Sequence, residues 1–367
     1  MTEEPAVPAT RGIPTVFLGT GPFGIPALEA IASAREVRLV GIVTAPPRPA
    51  GRGERLRRSP VAERADALGL APVLEPARLR DLAAVEAVRE LGPALLVLAD
   101  YGQIVPPALL ELPAHGALNL HPSLLPRHRG ASPVPATILA GDRQAGVTLM
   151  QMDRGLDTGP IVGQVAVPLD GSETTPGLEA ELADEGARLL LALLADWLAG
   201  RRPARPQPET GVTLTRPLRR EDGWLDPGHD AAALERQVRA YQPWPGTWAQ
   251  TVAGRLIVWR ARPLALEGLA VGPGELPGPE AAAPVVAGGP GTPPGAGASA
   301  TWQGGEPGQP APGLLVPDGQ GLAVMVADGA LRLDEVQLAG GRRMASDALR
   351  RGHPELVGSR LGGPALP

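Results

Sequence analysis

The chain has 367 residues, a formal net charge of −5, 43% hydrophobic residues and no cysteine. That length accommodates two domains, each able to bury its own core. The composition excludes a disulfide framework, a thiolate nucleophile and a cysteine metal site. No apolar run is long enough for a membrane span, and the acidic opening Met1–Pro5 lacks the apolar segment of a secretory signal, so the cytoplasm is the expected compartment. All 34 basic side chains are arginine. A Schiff-base lysine and a lysine-bearing phosphate loop are therefore excluded, and a nucleic-acid partner has to be argued from local patches, not from net charge.

Residues 1–12 are rich in proline and alanine and are expected to be disordered. Ile13–Leu18 reads as a first strand, the glycine turn Gly19-Thr20-Gly21-Pro22-Phe23-Gly24 follows, Ile25–Ala34 has helical spacing, and Val37–Thr44 is a second buried strand. Strand, glycine turn, helix and strand make a βαβ unit of a parallel α/β sheet. The turn spells GxGxxG, but the second strand ends Val43-Thr44-Ala45-Pro46 without the acid that would hold a ribose hydroxyl. The glycines are therefore read as a chain turn and not as a dinucleotide site.

Pro46–Pro60 carries five arginines, at 48, 52, 55, 57 and 58, in a Gly/Pro-rich loop. Such a loop is either a solvated surface loop or an arm that orders on phosphates. Helices are expected at about 60–68 and 79–91, with a short segment at 72–74 between them. The buried strand 94–98 then runs into Tyr101-Gly102-Gln103-Ile104, a candidate pocket wall, because ligands of open α/β sheets bind at the carboxyl ends of the strands.

Leu118–His121 is the next strand, and its alternation puts Asn119 and His121 on one face. Pro122 stops it there, leaving His121 at the sheet's carboxyl edge. Thr148–Asp153 and Gly159–Val167 flank a turn that contains Asp157, and Thr175–Leu198 reads as a long helix. An amide, an imidazole and a carboxylate suffice for acyl transfer without a covalent intermediate. The amide holds an oxyanion, the imidazole moves a proton and the carboxylate stabilises the imidazolium. Taken singly, Asn119 and Asp157 suit turns and His121 suits a structural role; with His115 or His128 the spacing does not suit a metal.

The first domain is expected over 13–200, with a Pro/Arg linker over 201–215. In the second domain, 216–367, Trp224–Tyr241 includes a helix and Thr247–Trp259 alternates as a strand. Residues 269–310 read as a disordered Gly/Pro/Ala insertion. Gly313–Leu338 resumes as short strands with Asp-Gly turns, the pattern of a small β-barrel.

With these residues in view, the chain resembles the methionyl-tRNA formyltransferase family. The shared motifs are Phe17-Leu18-Gly19-Thr20, Arg48-Pro49-Ala50-Gly51-Arg52-Gly53, Tyr101-Gly102-Gln103-Ile104 and Asn119-Leu120-His121-Pro122-Ser123-Leu124-Leu125-Pro126-Arg127. They continue with Gly146–Asp153, Gly155-Leu156-Asp157-Thr158-Gly159 and Tyr241-Gln242-Pro243-Trp244-Pro245-Gly246-Thr247-Trp248. The resemblance implies a Rossmann-like α/β formyltransferase domain with a mostly parallel sheet, followed by a small OB-like β-barrel. It implies formyl transfer from 10-formyltetrahydrofolate to the α-amine of methionine on initiator tRNA; a cytoplasmic monomer with no metal and no membrane partner is expected. Catalysis falls on Asn119, His121 and Asp157; Tyr101, Gly102, Gln103, Ile104, Ser123, Leu124, Leu125 and Pro126 border the folate; and Arg48, Arg52 and Arg55 belong to the arm that meets the tRNA.

The chain departs from the family at several places: the usual Gly-Thr-Pro turn is Gly19-Thr20-Gly21-Pro22, and the basic segment Gly340-Gly341-Arg342-Arg343-Met344 carries arginine for lysine. His128 stands where a tryptophan is common, a form reminiscent of formyltetrahydrofolate-hydrolysing relatives. From Thr215 onward, 14 arginines stand against 15 acidic residues, so the second domain has no bulk basic excess. The alternatives are a formyltetrahydrofolate hydrolase, a formyltransferase acting on a sugar-nucleotide amine, and a non-catalytic RNA-binding module. The last has no need of a proton-moving trio.

Overall fold

In the computed structural model, residues 12–50, 55–70, 72–264, 311–319 and 321–363 are described. The β-branched, apolar opening forms β1 (Ile13–Gly19), buried from Thr15 onward. The glycine turn then leads into α1 (Gly24–Ser33). A Cβ on Gly24 would stand 2.8 Å from the Ala99 carbonyl, and one on Gly21 would collide with the Asp100 carboxylate. These glycines serve a close backbone approach.

The first unit continues with β2 (Val37–Val43), the short β3 (Arg48–Ala50) and β4 (Arg55–Arg57), α2 (Pro60–Ala67), β5 (Val73–Leu74), α3 (Leu82–Glu90), β6 (Leu95–Ala99), α4 (Pro107–Leu110) and β7 (Ala117–His121). Then come β8 (Arg129–Gly130), α5 (Pro133–Ala140), β9 (Gln144–Gln151), β10 (Ile161–Pro168), α6 (Thr175–Leu198) and β11 (Leu214–Thr215). Local chemistry sets several boundaries. The Ser59 hydroxyl accepts from the Ala62 N–H at 3.0 Å and Pro60 occupies the first turn, so α2 begins there.

Seven strands form one sheet in the order β10-β9-β7-β6-β1-β2-β5. The five from β7 to β5 are mutually parallel, and β9 runs antiparallel to both of its neighbours. Central β6 is buried at every position, as a parallel strand covered on both faces has to be. The order reverses between β1 and β6: the chain first builds outward to β2 and β5, then returns to build β6 and β7 on the other side. The mostly parallel α/β sheet is the architecture expected from the sequence.

The basic loop after β2 is a two-stranded hairpin, with Arg48 opposite Arg57 and Ala50 opposite Arg55. Arg52 lies outside the described residues, as do most of the N-terminal segment 1–12 and the whole insertion 269–310. The chain divides into two compact units, the first running to Pro217 apart from residues 138–141 and 172–175, which group with the second. The Arg201–Thr215 stretch therefore belongs to the first unit.

The second unit contains α7 (Ala231–Ala240), β12 (Thr247–Thr251), β13 (Gly254–Leu264), β14 (Leu315–Asp318), β15 (Gly321–Val326), β16 (Gly329–Leu338), β17 (Met344–Ala345) and α8 (Ser346–Gly352). The Asp230 carboxylate caps α7 by accepting from the Ala233 N–H at 2.6 Å. The i, i+4 pair Leu234 and Val238 faces a core shared with Val258, Leu331 and Leu333. Thr247–Trp259, read as one strand, is a hairpin instead. The chain reverses at Val252-Ala253, and Gly254 takes a φ of +107°, which only glycine adopts freely.

The five-strand path β12-β13-β16-β15-β14 is antiparallel throughout and leaves two outer edges. The final described segment pairs with both. The Gln250 and Gly362 backbones exchange hydrogen bonds at 3.0 and 2.8 Å on the β12 side. On the β14 side, the Leu315 N–H donates to the Ser359 carbonyl at 2.9 Å and the Leu361 N–H to the Gly313 carbonyl at 2.8 Å. The sheet is thereby closed into a barrel and neither edge is left bare. At roughly 1 kcal/mol net per backbone hydrogen bond, this closure contributes about 4 kcal/mol, a large part of a domain's stability. Ending the chain after Gly358 is expected to unfold the second unit at clearly lower urea concentration, read by tryptophan fluorescence. An unchanged midpoint would show that the barrel does not need its closing segment.

Candidate functional site

Strand alternation on β7 sends Leu118 and Leu120 into apolar packing and leaves Asn119 and His121 on the other face. Asn119 is half-buried, and no hydrogen bond engages its side-chain amide among the described residues. His121 is only 5% exposed and ends the strand. Asp157 arrives from the loop between β9 and β10. That loop leaves the sheet beside the start of β7, where the Met152 N–H donates to the Ala117 carbonyl at 2.8 Å. It folds back along the face and places Asp157 Oδ2 3.7 Å from His121 Nδ1. The amide, imidazole and carboxylate read from sequence are thus gathered on one face of β7.

At 3.7 Å the Asp157–His121 pair lies beyond hydrogen-bond reach and acts through charge. Asp157 Oδ2 instead accepts from the Gly130 N–H at 2.8 Å, and its residue adopts a left-handed φ of 51°. His121 Nε2 sits 3.0 Å from the His128 carbonyl oxygen. Burial pushes the His121 imidazole below its ordinary 6.5; the Asp157 carboxylate and the His128 carbonyl oppose that shift, and the His128 side chain adds to it. The ring is neutral at pH 7, the form able to accept a proton.

The loops expected to border a folate follow β6 and β7, which are neighbours in the sheet. Tyr101 is half-buried, and burial pushes its phenol up to about 12. Gly102 is exposed and Ile104 is 85% exposed. Gln103 instead clamps the loop to its neighbour, accepting from the Leu79 N–H at 2.7 Å and donating to the Pro76 carbonyl at 3.1 Å. Ser123 donates to the Arg127 carbonyl at 2.7 Å, and the Leu125 N–H donates to Thr148 Oγ1 at 3.1 Å, so Ser123–Pro126 is a braced turn. Leu125 is buried; Leu124 and Pro126 are half-buried. Arg48 and Arg55 project from the hairpin after β2, exposed and without an ion-pair partner among the described residues.

Asp100, immediately after β6, also takes a left-handed φ of 53°. One side of it is open to solvent, yet crowding around the carboxyl pushes its pKa up to about 6, against the Gly21 N–H, which lowers it. Two hydroxyls on residues that follow β1 and β6, Thr20 Oγ1 and the Tyr101 phenol, are buried with no partner among the described residues. Both stand where the strand order reverses. Among the described residues no cluster of His, Asp and Glu has the makings of a metal site, and no helix is long and apolar enough to cross a membrane.

Sequence reasoning missed the bracing supplied by residues 201–217. β11 pairs with β8, the Thr213 hydroxyl accepts from the His128 N–H at 2.7 Å, and Gln207 donates to the carbonyls of Asp157 and Gly159 at 2.8 Å each while accepting from Arg129. Two-residue strands show no periodicity, so no local signal announces this strap. A cleft of about 510 Å³ lies along it, lined by Arg129, Thr158, Gln207 and Val212 among others, and another of about 630 Å³ adjoins Leu124, His128 and Asp142. Neither is lined by Asn119, His121 or Asp157. Gln207→Ala removes two donors that hold the left-handed Asp157 turn and is expected to lower turnover about tenfold, near 1.4 kcal/mol. Steady-state kinetics with an unchanged circular dichroism spectrum would check this.

The formyl transferase family profile matches residues 15–194, and the formyl transferase C-terminal domain profile matches 217–292. The methionyl-tRNA formyltransferase of Gluconobacter oxydans is 38% identical over 94% of this chain and 99% of its own length. That of Acidiphilium cryptum is 40% identical with the same coverages. In fold, the chain is similar to an N-formyltransferase from Helicobacter canadensis solved with folinic acid and dTDP-3-aminofucose, with a TM-score of 0.55 and 14% identity over 88% of this chain and 98% of that one. With both domain profiles matched in order and relatives of this identity aligned from end to end, the chain belongs to the methionyl-tRNA formyltransferase family.

Proposed function

We propose that the chain transfers the formyl group of 10-formyltetrahydrofolate to the α-amino group of methionine carried by initiator tRNA, in the cytoplasm. The observation that carries the chemistry is the convergence of Asn119, His121 and Asp157 on one face of β7, from strand and loop positions up to 38 residues apart. In this reading the Asn119 amide, free of partners among the described residues, donates to the oxygen that gains charge as the amine attacks the formyl carbon. His121 accepts the proton that the amine loses and returns it to the departing folate nitrogen. Asp157 stabilises the imidazolium between those two transfers.

The folate fits the carboxyl edge of the sheet. The strand order reverses between β1 and β6, and α/β sheets take ligands at the carboxyl ends of strands beside such a reversal. The Arg48–Arg57 hairpin suits the phosphates of an acceptor stem.

The test is formyl transfer by the purified protein with 10-formyltetrahydrofolate and, separately, charged initiator tRNA, free methionine, a sugar-nucleotide amine and no acceptor. Product with charged tRNA alone supports the reading. Donor consumption without any acceptor indicates a hydrolase, and transfer to the sugar amine reassigns the acceptor. In the same assay, replacing Arg48 and Arg55 by alanine is expected to raise KM for the tRNA about tenfold at low salt and by less at higher salt, with KM for the donor unchanged.

A further inference from the structure

His128 is buried, at 6% exposure, and holds a left-handed φ of 57°, a conformation that costs a side-chain-bearing residue energy and persists only when its surroundings impose it. Three contacts impose it. The ring's Nε2 lies 2.7 Å from Asp142 Oδ2, its Nδ1 lies 3.3 Å from Thr213 Oγ1, and its backbone N–H donates to that same Thr213 oxygen at 2.7 Å. Asp142 is itself fixed by Arg127 Nη2 at 2.5 Å. The backbone carbonyl oriented by this arrangement is the one 3.0 Å from His121 Nε2.

A carbonyl oxygen can only accept a hydrogen bond, so His121 Nε2 has to carry the proton. Neutral His121 is thereby fixed as the Nε2–H tautomer, and its unprotonated nitrogen is Nδ1, the one on the Asp157 side. Protonation at Nδ1 then creates the positive charge directly beside the carboxylate that stabilises it.

We infer that His128, anchored by Asp142 and Thr213, is a positioning residue that locks His121 in the Nε2–H tautomer and so assigns the proton transfers of catalysis to Nδ1. The assignment of turnover to His121 rests on the function proposed above; the tautomer itself does not. His128 thus acts through its backbone on the ring of His121, and its own side chain serves to hold that backbone in place.

The experiment uses the full chain with ¹⁵N-labelled histidine, five residues in all, and reads the His121 ring nitrogens by NMR alongside the kinetics. The wild-type protein is expected to show a protonated Nε2 and an unprotonated Nδ1. In Asp142→Asn, and more strongly in His128→Ala, the His121 signals are expected to move toward a mixture of tautomers. The turnover number should fall about tenfold to a hundredfold while KM for both substrates stays within about threefold. His128→Asn, which tolerates the left-handed backbone, is expected to recover part of the loss relative to alanine. The inference is overturned if wild-type His121 is the Nδ1–H tautomer. It is equally overturned if Asp142→Asn and His128→Ala lose turnover with the His121 tautomer unchanged, or keep both turnover and tautomer. Should His128→Ala fail to fold, the nearly isosteric Asp142→Asn decides alone. A wild-type protein with the Nε2–H tautomer and no transfer to any acceptor would refute the proposed function and leave the tautomer lock standing.

Discussion

Replacing His121 by alanine is expected to lower formyl transfer about a thousandfold or more while the protein still folds. A positioned acid–base group contributes on the order of 10² to 10⁴ in rate, and among the described residues no other imidazole stands next to Asp157. The structural loss is smaller. Among the described residues the ring makes one hydrogen bond, to the His128 carbonyl, and deleting it leaves a small cavity and one unpaired carbonyl, about 1–3 kcal/mol against a total of about 5–15. Single-turnover transfer to charged tRNA, with circular dichroism as the control, measures both. Turnover within tenfold of wild type would remove His121 from the mechanism.

The same variant carries a pH signature. His121 has a folded-state pKa below its unfolded value of 6.5, so the unfolded state binds the proton more readily. The neutral ring's contribution to stability is fully present above pH 6.5 and is lost as pH falls from there through the lower folded-state value. Wild-type stability should decline over that window, and His121→Ala should decline less. Activity follows the same sign, falling at acid pH as the base is protonated.

Asp157→Asn is the second large effect, expected to lower turnover about a hundredfold to a thousandfold with little change in stability. Asparagine keeps the shape, tolerates the left-handed φ of 51° and can still accept from the Gly130 N–H; it removes the charge. Without that charge the imidazolium has no counter-ion, and the His121 pKa should fall further, since the carboxylate is the main influence raising it. The acid limb of the rate profile should therefore move to lower pH. Asp157→Ala should be worse, because alanine also resists the left-handed turn at about 1 kcal/mol. A rate profile in Asp157→Asn with an unmoved acid limb would contradict a role through charge.

Asn119 and His121 were legible because a strand's two-residue period and the proline that stops it are local facts. Asp157 was legible only as turn chemistry and through the family motif; what joins it to His121 is a loop folding back over a sheet face, a contact distant in sequence. The prolines of Pro133–Ala140 and Pro107–Leu110 hid two helices, since proline in a first turn resembles a breaker when read alone. Val252-Ala253 carries none of the Asn-Gly or Asp-Gly signals of a tight hairpin, so β12 and β13 read as a single strand. The closing of the barrel by residues 359–362 and the strap over 201–217 depend on pairings between very short segments, for which tertiary context decides.

That strap has a practical consequence for dissecting the molecule. A fragment ending with α6, the natural place to cut by sequence, would keep Asn119, His121 and Asp157 and lose Gln207, Thr213 and β11. It would retain the whole sheet and release the loops on which the geometry depends, so a folded but inert fragment would be misread as proof that the second unit takes part in the chemistry. A cut after Pro217 separates the two questions.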